Sequence, residues 1–210
     1  MTAGGVLIEA RELPGLPGVP AFAVAAHPAF IVLAAAQGAF GAPPDVVLSG
    51  VNDGANVGRA VLYFGTVGAA LTGALHGARA MAVSLAVGLE PACPRQWDSA
   101  RAVLRVLLPL VTELPAGATL NVNVPDRPVE RLGELRCAPL SRIGTVQTRI
   151  EQVAGNQLRR IAAPLPDNAE PGTDAAVLAA GHPTISELRS VEDAHPTALP
   201  AQLPQLPRFS

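Results

Sequence analysis

Short apolar runs separated by amphipathic stretches set the rhythm of the chain as far as residue 130. Val6–Glu9 and Ala21–Ala25 are short enough and apolar enough for strands, and the Pro/Gly-rich stretch Leu13–Pro20 joins them as a loop. Pro28 suits the first turn of a helix that runs to about Gln37, where Gly38 can end it. Val46–Leu48 lies between Pro43-Pro44 and Ser49-Gly50, as expected of a buried parallel strand. Residues 49–58, SGVNDGANVG, form a polar, glycine-rich loop. Val67, Ala70, Leu71, Ala74, Leu75 and Ala78 then recur at helical spacing, with Gly77 placed to stop the helix. Met81–Val87 is a further buried strand. Trp97, Ala100, Arg101, Leu104, Leu107, Leu108 and Val111 mark a long helix that Pro109 should bend near its end, and Trp97 is expected in the core. Thr119–Val124 is β-branched and strand-like, and Pro125 closes it.

The pattern changes afterwards. Thr145–Val153 and Gln157–Ala162 alternate around Gly155-Asn156, which predicts a projecting β-hairpin. Thr173–Ala180 returns to a helix ended by Gly181, and Thr184–Leu188 to a strand. From Arg189 the Pro-rich chain loses periodicity, so residues 1–188 are expected to form one domain and residues 189–210 a disordered tail. Strands alternating with helices predict an α/β fold: a three-layer αβα, Rossmann-like domain with a mostly parallel sheet, extended by a C-terminal β-hairpin.

Composition adds few constraints. Hydrophobic residues make up 49% of the 210 residues and aromatics only 3%, so the core must be built from Ala, Val, Leu and Ile. A net charge of -2 gives no basic field for nucleic acid, although backbone dipoles can still hold small anions. Cys93 and Cys137 match no metal spacing and make no disulfide framework, as expected in a reducing cytoplasm. The apolar stretch Ala21–Phe40 is interrupted by His27, Pro28, Gln37 and Gly38, which suits strand, turn and helix better than a membrane span. The first residues carry no basic run of the kind a signal peptide needs.

In open α/β sheets, ligands bind beyond the carboxyl ends of strands, in the loops that lead to helices. Residues 49–68 fit that place best. Ser49, Asn52, Asp53 and Asn56 stand there among glycines 50, 54, 58 and 65, and Thr66 opens a helix whose free amides favour phosphate. The plainer reading is a connecting loop whose Asn and Ser residues only form turns; no Gly-Lys-Ser/Thr follows, so the loop is not a P-loop.

The same residues carry a resemblance. PDVVLSGVNDGANVGRAVLYFGTVGAALTGALHGARAMAVSL (44–85), LNVNVP (120–125) and PGTDAAVLAAGHPTISEL (171–188) resemble, in order and spacing, the motifs of the SurE family. The resemblance implies a metal-dependent phosphatase of nucleoside monophosphates, a 5'/3'-nucleotidase that forms homodimers or homotetramers. It places Asn52 at the ligand of a Mg²⁺ or Mn²⁺ ion, and Asn56, Gly65 and Thr66 at the phosphate pocket. It also implies that the family's two metal-binding aspartates belong to an Asn-Asp-Asp-Gly strand, a string that does not occur in these residues. One neutral amide oxygen cannot hold a hard dication, so impaired hydrolysis is expected of the chain as written. A second departure is Phe64, where the family has serine, with Tyr63 in place of a histidine.

Two readings follow: a nucleotidase, or a catalytically dead SurE-like binding or oligomerising module. Residues 49–52 are expected at the carboxyl end of a central strand, with Thr66 facing the same crevice. Asp53 is expected to be solvated, Asp174 to cap a helix, and the four histidines to lie on the surface or in loops.

Overall fold

Alternation of side-chain size, more than hydrophobicity alone, decides how the layers stack. In the computed structural model, which describes residues 5–87, 94–142, 148–153, 157–162 and 169–189, the chain opens with an antiparallel pair, β1 (Ile8–Arg11) and β2 (Ala21–Val24). Helix α1 (Pro28–Ala36) follows, started by Pro28 and left through Gly38, whose φ of 83° suits glycine. The main sheet takes β3 (Val46–Asp53), β4 (Arg79–Ala86) and β5 (Thr119–Pro125) in parallel, connected by α2 (Gly65–Leu75) and α3 (Trp97–Glu113). Later come β6 (Arg136–Cys137), the hairpin strands β7 (Thr148–Val153) and β8 (Gln157–Ala162), α4 (Asp174–Ala179) and β9 (Thr184–Leu188). The five-stranded order is β3-β4-β5-β9-β6, with β9 antiparallel to β5 and parallel to β6.

Odd-numbered residues of β4 and even-numbered residues of β5 face α3. Met81, Val83, Leu85, Leu120, Val122 and Val124 pack there with Ala100, Val103, Leu107 and Val111 in one buried cluster. The α3 spacing that predicted a helix is the spacing of that contact. The opposite face carries Ala80, Ala82 and Ser84 on β4 and Thr119, Asn121 and Asn123 on β5, all buried. Small residues let α2 come close. Gly73 is the limiting case, since a Cβ there would lie 2.7 Å from Val47 Cγ2.

Three expectations need correction. Strand β3 does not stop at Leu48 but continues through Ser49–Asp53, because residues 52 and 53 stay in register with Ser84 and Leu85 after a shift beyond Ser49. It is not a central strand: among the described residues it forms the edge of the sheet. Helix α3 has the expected span and contains Pro109 near its end, running on to Glu113. Trp97 is 44% exposed at its start and does not belong to the core. The hairpin strands pair from Thr148↔Ala162 to Val153↔Gln157, while the turn expected at Gly155-Asn156 and the expected tail from residue 190 lie outside the described residues. Among the described residues no helix is long and apolar enough to cross a membrane.

Candidate functional site

Where β3, β4 and β5 end, their loops meet on the polar face of the sheet. Gly50 allows β3 to press onto β4: its φ is 135°, and a Cβ there would stand 2.3 Å from the Val83 carbonyl oxygen. Two residues later Asn52 donates its Nδ2 to the Gly54 carbonyl at 2.6 Å. That bond spends the amide nitrogen and orients the carboxamide, leaving the Oδ1 side as the acceptor. Gly54 N–H in turn donates to Leu85 O at the end of β4.

Asn56 is 1% exposed, and its backbone groups and side-chain nitrogen are hydrogen-bonded, while its Oδ1 is buried without a partner. Its backbone N–H donates to Asn123 Oδ1 at 2.7 Å, and its carbonyl accepts from Asn121 Nδ2 at 2.8 Å and Asn123 Nδ2 at 2.9 Å. Its own Nδ2 donates to Ser84 Oγ at 2.8 Å. The loop is therefore clamped to the sheet by side chains that imitate a strand partner. Val57 beside it is fully buried, and Ala55 and Val57 pack against Ala175 and Leu178 of α4.

Asp174 holds the far end of the same loop. Its Oδ2 accepts from Gly58 N–H, and its Oδ1 accepts from Ser141 N–H and Ala175 N–H, each at 2.8 Å. The cap position of α4 is Thr173, without a side-chain bond; Asp174, the first helical residue, instead takes the Ala175 N–H of the first turn and ties two loops to that helix. Burial pushes the carboxyl above the usual carboxylate range, while the Gly58, Ser141 and Ala175 amides pull it back.

The parallel β3–α2–β4 crossover returns the chain from the carboxyl ends of the strands, so the N-terminus of α2 sits at the same edge as Asn52. No side chain caps it; the first helical bond runs from Gly68 N–H to Phe64 O. Gly65 is exposed and Thr66 half-buried, which leaves first-turn amides available to an anion. Pro28, at the start of α1, lies against Gly65. The Phe64 ring packs against the cluster of Val47, Val61, Val67 and Ala70, so its bulk is absorbed by the apolar layer. Tyr63 is exposed.

A divalent cation is a poor fit for the described residues by themselves. Asn52 offers one neutral oxygen. Its neighbour Asp53, half-exposed, is engaged by Arg95 through Nε at 3.0 Å and Nη2 at 3.2 Å. Among the described residues no group of three His, Cys, Asp or Glu could hold a metal ion.

Reasoning from sequence missed Arg95, Ser84, Asn121 and Asn123. The signal for the last two was present in LNVNVP: amides at alternate positions of a buried strand mark a polar stripe that something must satisfy. His27 and His76 lie on the surface, whereas the His182 ring lies over Gly133 and meets Glu134 O at 3.1 Å. His195 lies outside the described residues.

Comparison with known proteins places these motifs. Residues 6–147 match the family model described as Survival protein SurE. The 5'-nucleotidase SurE of Dehalococcoides mccartyi (strain BAV1) is 35% identical over 181 residues, which cover 83% of this chain and 67% of the relative. The 5'-nucleotidase SurE of Vibrio parahaemolyticus is 38% identical over 157 residues, covering 72% and 58%. The 5'/3'-nucleotidase SurE of Shigella dysenteriae is 37% identical over 160 residues, covering 72% and 60%. The chain thus spans between 58% and 67% of these relatives' lengths. The crystal structure of the SurE protein from Aquifex aeolicus has the same fold, with a TM-score of 0.68 at 21% identity, covering 90% of this chain and 75% of that one.

Proposed function

Because this chain belongs to the SurE family, we propose that it is the phosphate-binding body of a 5'/3'-nucleotidase, a phosphomonoester hydrolase of nucleoside monophosphates. The observation that carries the reading is the shared edge of Asn52 and the uncapped first turn of α2. A phosphate seated on the Gly65–Thr66 amides gains hydrogen bonds and the positive end of the helix dipole. Asn56 serves this site by holding the loop in place through its backbone groups and Nδ2, while its Oδ1 has no partner.

Family nucleotidases use a divalent ion, Mg²⁺ or Mn²⁺, with Asn52 as one of its ligands by resemblance. Further carboxylates are needed for that role, and the described residues do not provide them. We therefore assign the 210 residues alone impaired hydrolysis. The same observation favours a second reading, a SurE-like chain that binds phosphate or oligomerises without turnover. The expected homo-oligomer and cytoplasmic location belong to both readings.

The test is turnover of nucleoside monophosphates by the pure chain with Mn²⁺ or Mg²⁺, alongside a titration with inorganic phosphate. Phosphate binding centred on Gly65 and Thr66, with negligible turnover, supports the proposal. Turnover that a chelator abolishes sinks the impairment, and absence of phosphate binding sinks the site.

A further inference from the structure

We propose that Arg95 is a positioning residue of the candidate site, gripping Asp53 so that the Asn52 turn stays fixed at the end of β3. The inference rests on the reading of Asn52 and α2 given above, and deepens it.

The ends of two parallel strands, β3 and β5, meet at this one guanidinium. Asp53 is the last residue of β3, and Arg95 meets its two carboxylate oxygens as a fork, Nε to Oδ1 at 3.0 Å and Nη2 to Oδ2 at 3.2 Å. Asp126 follows β5, donates its N–H to Ala86 O at the end of β4, and lies 3.9 Å from Arg95 Nη1 through Oδ2. Its Oδ1 accepts from Gln96 N–H, the residue after the arginine and the one that precedes α3. Arg95 thus has a nearly buried carboxylate behind it at ion-pair range, its Nη1 making no hydrogen bond there, and reaches forward to the loop. Its side chain is 22% exposed and that of Asp126 only 4%. A solvated surface pair pays to order two free chains; this one draws on a cation already placed.

The grip acts on Asn52 through one peptide. Asn52 Nδ2 reaches over Asp53 to Gly54 O, so the turn that orients the carboxamide has Asp53 at its centre. With Asp53 released, the turn is still held by the β3–β4 register at residues 52 and 53, by Gly54 N–H on Leu85 O and by the Asn56 clamp farther along, so what is lost is the hold on the outer, solvent side.

Charge and positioning give opposite predictions for Asp53→Asn. If Arg95 and Asp53 only set local charge, removing a carboxylate should tighten binding of an anion near α2. If the pair positions the turn, the same change should weaken it. The experiment uses the full 210-residue chain, with inorganic phosphate as the probe and the Asn52 side-chain amide followed by NMR. Arg95→Gln and Asp53→Asn should each lower phosphate affinity about two- to fivefold, and the double variant should lose no more than either alone. In all three the Asn52 Nδ2 proton donated to Gly54 O should shift toward its free-amide position. Arg95→Lys should retain part of the effect, since an ammonium cannot fork. Tighter phosphate binding by Asp53→Asn, or an Asn52 amide unchanged in both single variants, overturns the inference. The amide signal tests Arg95 even if no phosphate binds, so failure of this inference and failure of the proposed site are separable. Should Arg95→Gln fail to fold, Asp53→Asn still decides, because it leaves the buried Asp126 side of the arginine intact.

Discussion

Asn123 closes a two-way hydrogen-bonded pair with the backbone of Asn56: Oδ1 takes the Asn56 N–H at 2.7 Å and Nδ2 gives to the Asn56 carbonyl at 2.9 Å. A side-chain amide has the same donor and acceptor as a peptide, so Asn123 adds one strand-like rung where the sheet has ended. Asn123→Ala should leave the Asn56 N–H buried and unpaired, because only its carbonyl keeps a partner in Asn121. The expected loss is about 1–3 kcal/mol, measured as a shift of the denaturation midpoint without a change of slope.

Asp174 gives the protein an unusual acid response. Its carboxyl titrates above 3.8 in the folded chain, so between 3.8 and that higher value the folded state binds more proton than the unfolded one. Its contribution to stability is therefore fully present below the unfolded value and lost as pH rises through the folded one, opposite in sign to an ion-paired carboxylate. Asp174→Asn should remove that slope from a stability–pH curve. It should also destabilise by about 1–3 kcal/mol at neutral pH, because one of its three amide partners would face an NH₂ instead of an oxygen.

Phe64→Ser restores the residue type that resemblance assigns to the position, yet should not rescue function. The ring is half-buried against Val47, Val61 and Val67, and removing it should cost about 2 kcal/mol. Phosphate affinity should change less than twofold. A titration of the variant with inorganic phosphate checks this, and a large gain would mean that the ring had been obstructing the pocket.

Gly50→Ala tests the approach of β3 to β4. The left-handed φ and the 2.3 Å contact with Val83 O act together, so a loss of about 3 kcal/mol or more is expected. Thermal denaturation measures it; a mild effect would mean that β3 is free to move away.

How much of this was legible beforehand follows from what each signal encodes. Strands such as β4 and helices such as α3 were found because burial on two faces, or on one stripe, leaves a period in the sequence. The extension of β3 through Asp53 was not, since Ser49, Gly50, Asn52 and Asp53 have turn composition and join the ladder only because β4 lies alongside. Asn52, Gly65 and Thr66 were found by motif and lie at one edge. Asn56 stood out as strongly, but its place under the loop depends on Asn121 and Asn123, more than sixty residues away. Arg95 had no signal at all: an ion pair across strand ends depends on the fold, not on spacing.

The clamp on the loop also has a direction in time. Residues 56 and 58 leave the ribosome long before their partners, which follow 67 residues later at Asn123 and 116 later at Asp174. At ordinary translation speeds the loop waits on the order of ten seconds for its final anchor. During that wait Val57 and Ala55 have no α4 to cover them. A chain stalled before residue 169 should therefore show a protease-sensitive segment at 54–58, and the same segment should become resistant once Asp174 has emerged. The binding edge thus waits on residues made late, and a premature stop before Asp174 would leave that edge unfinished and remove β9 from the sheet as well.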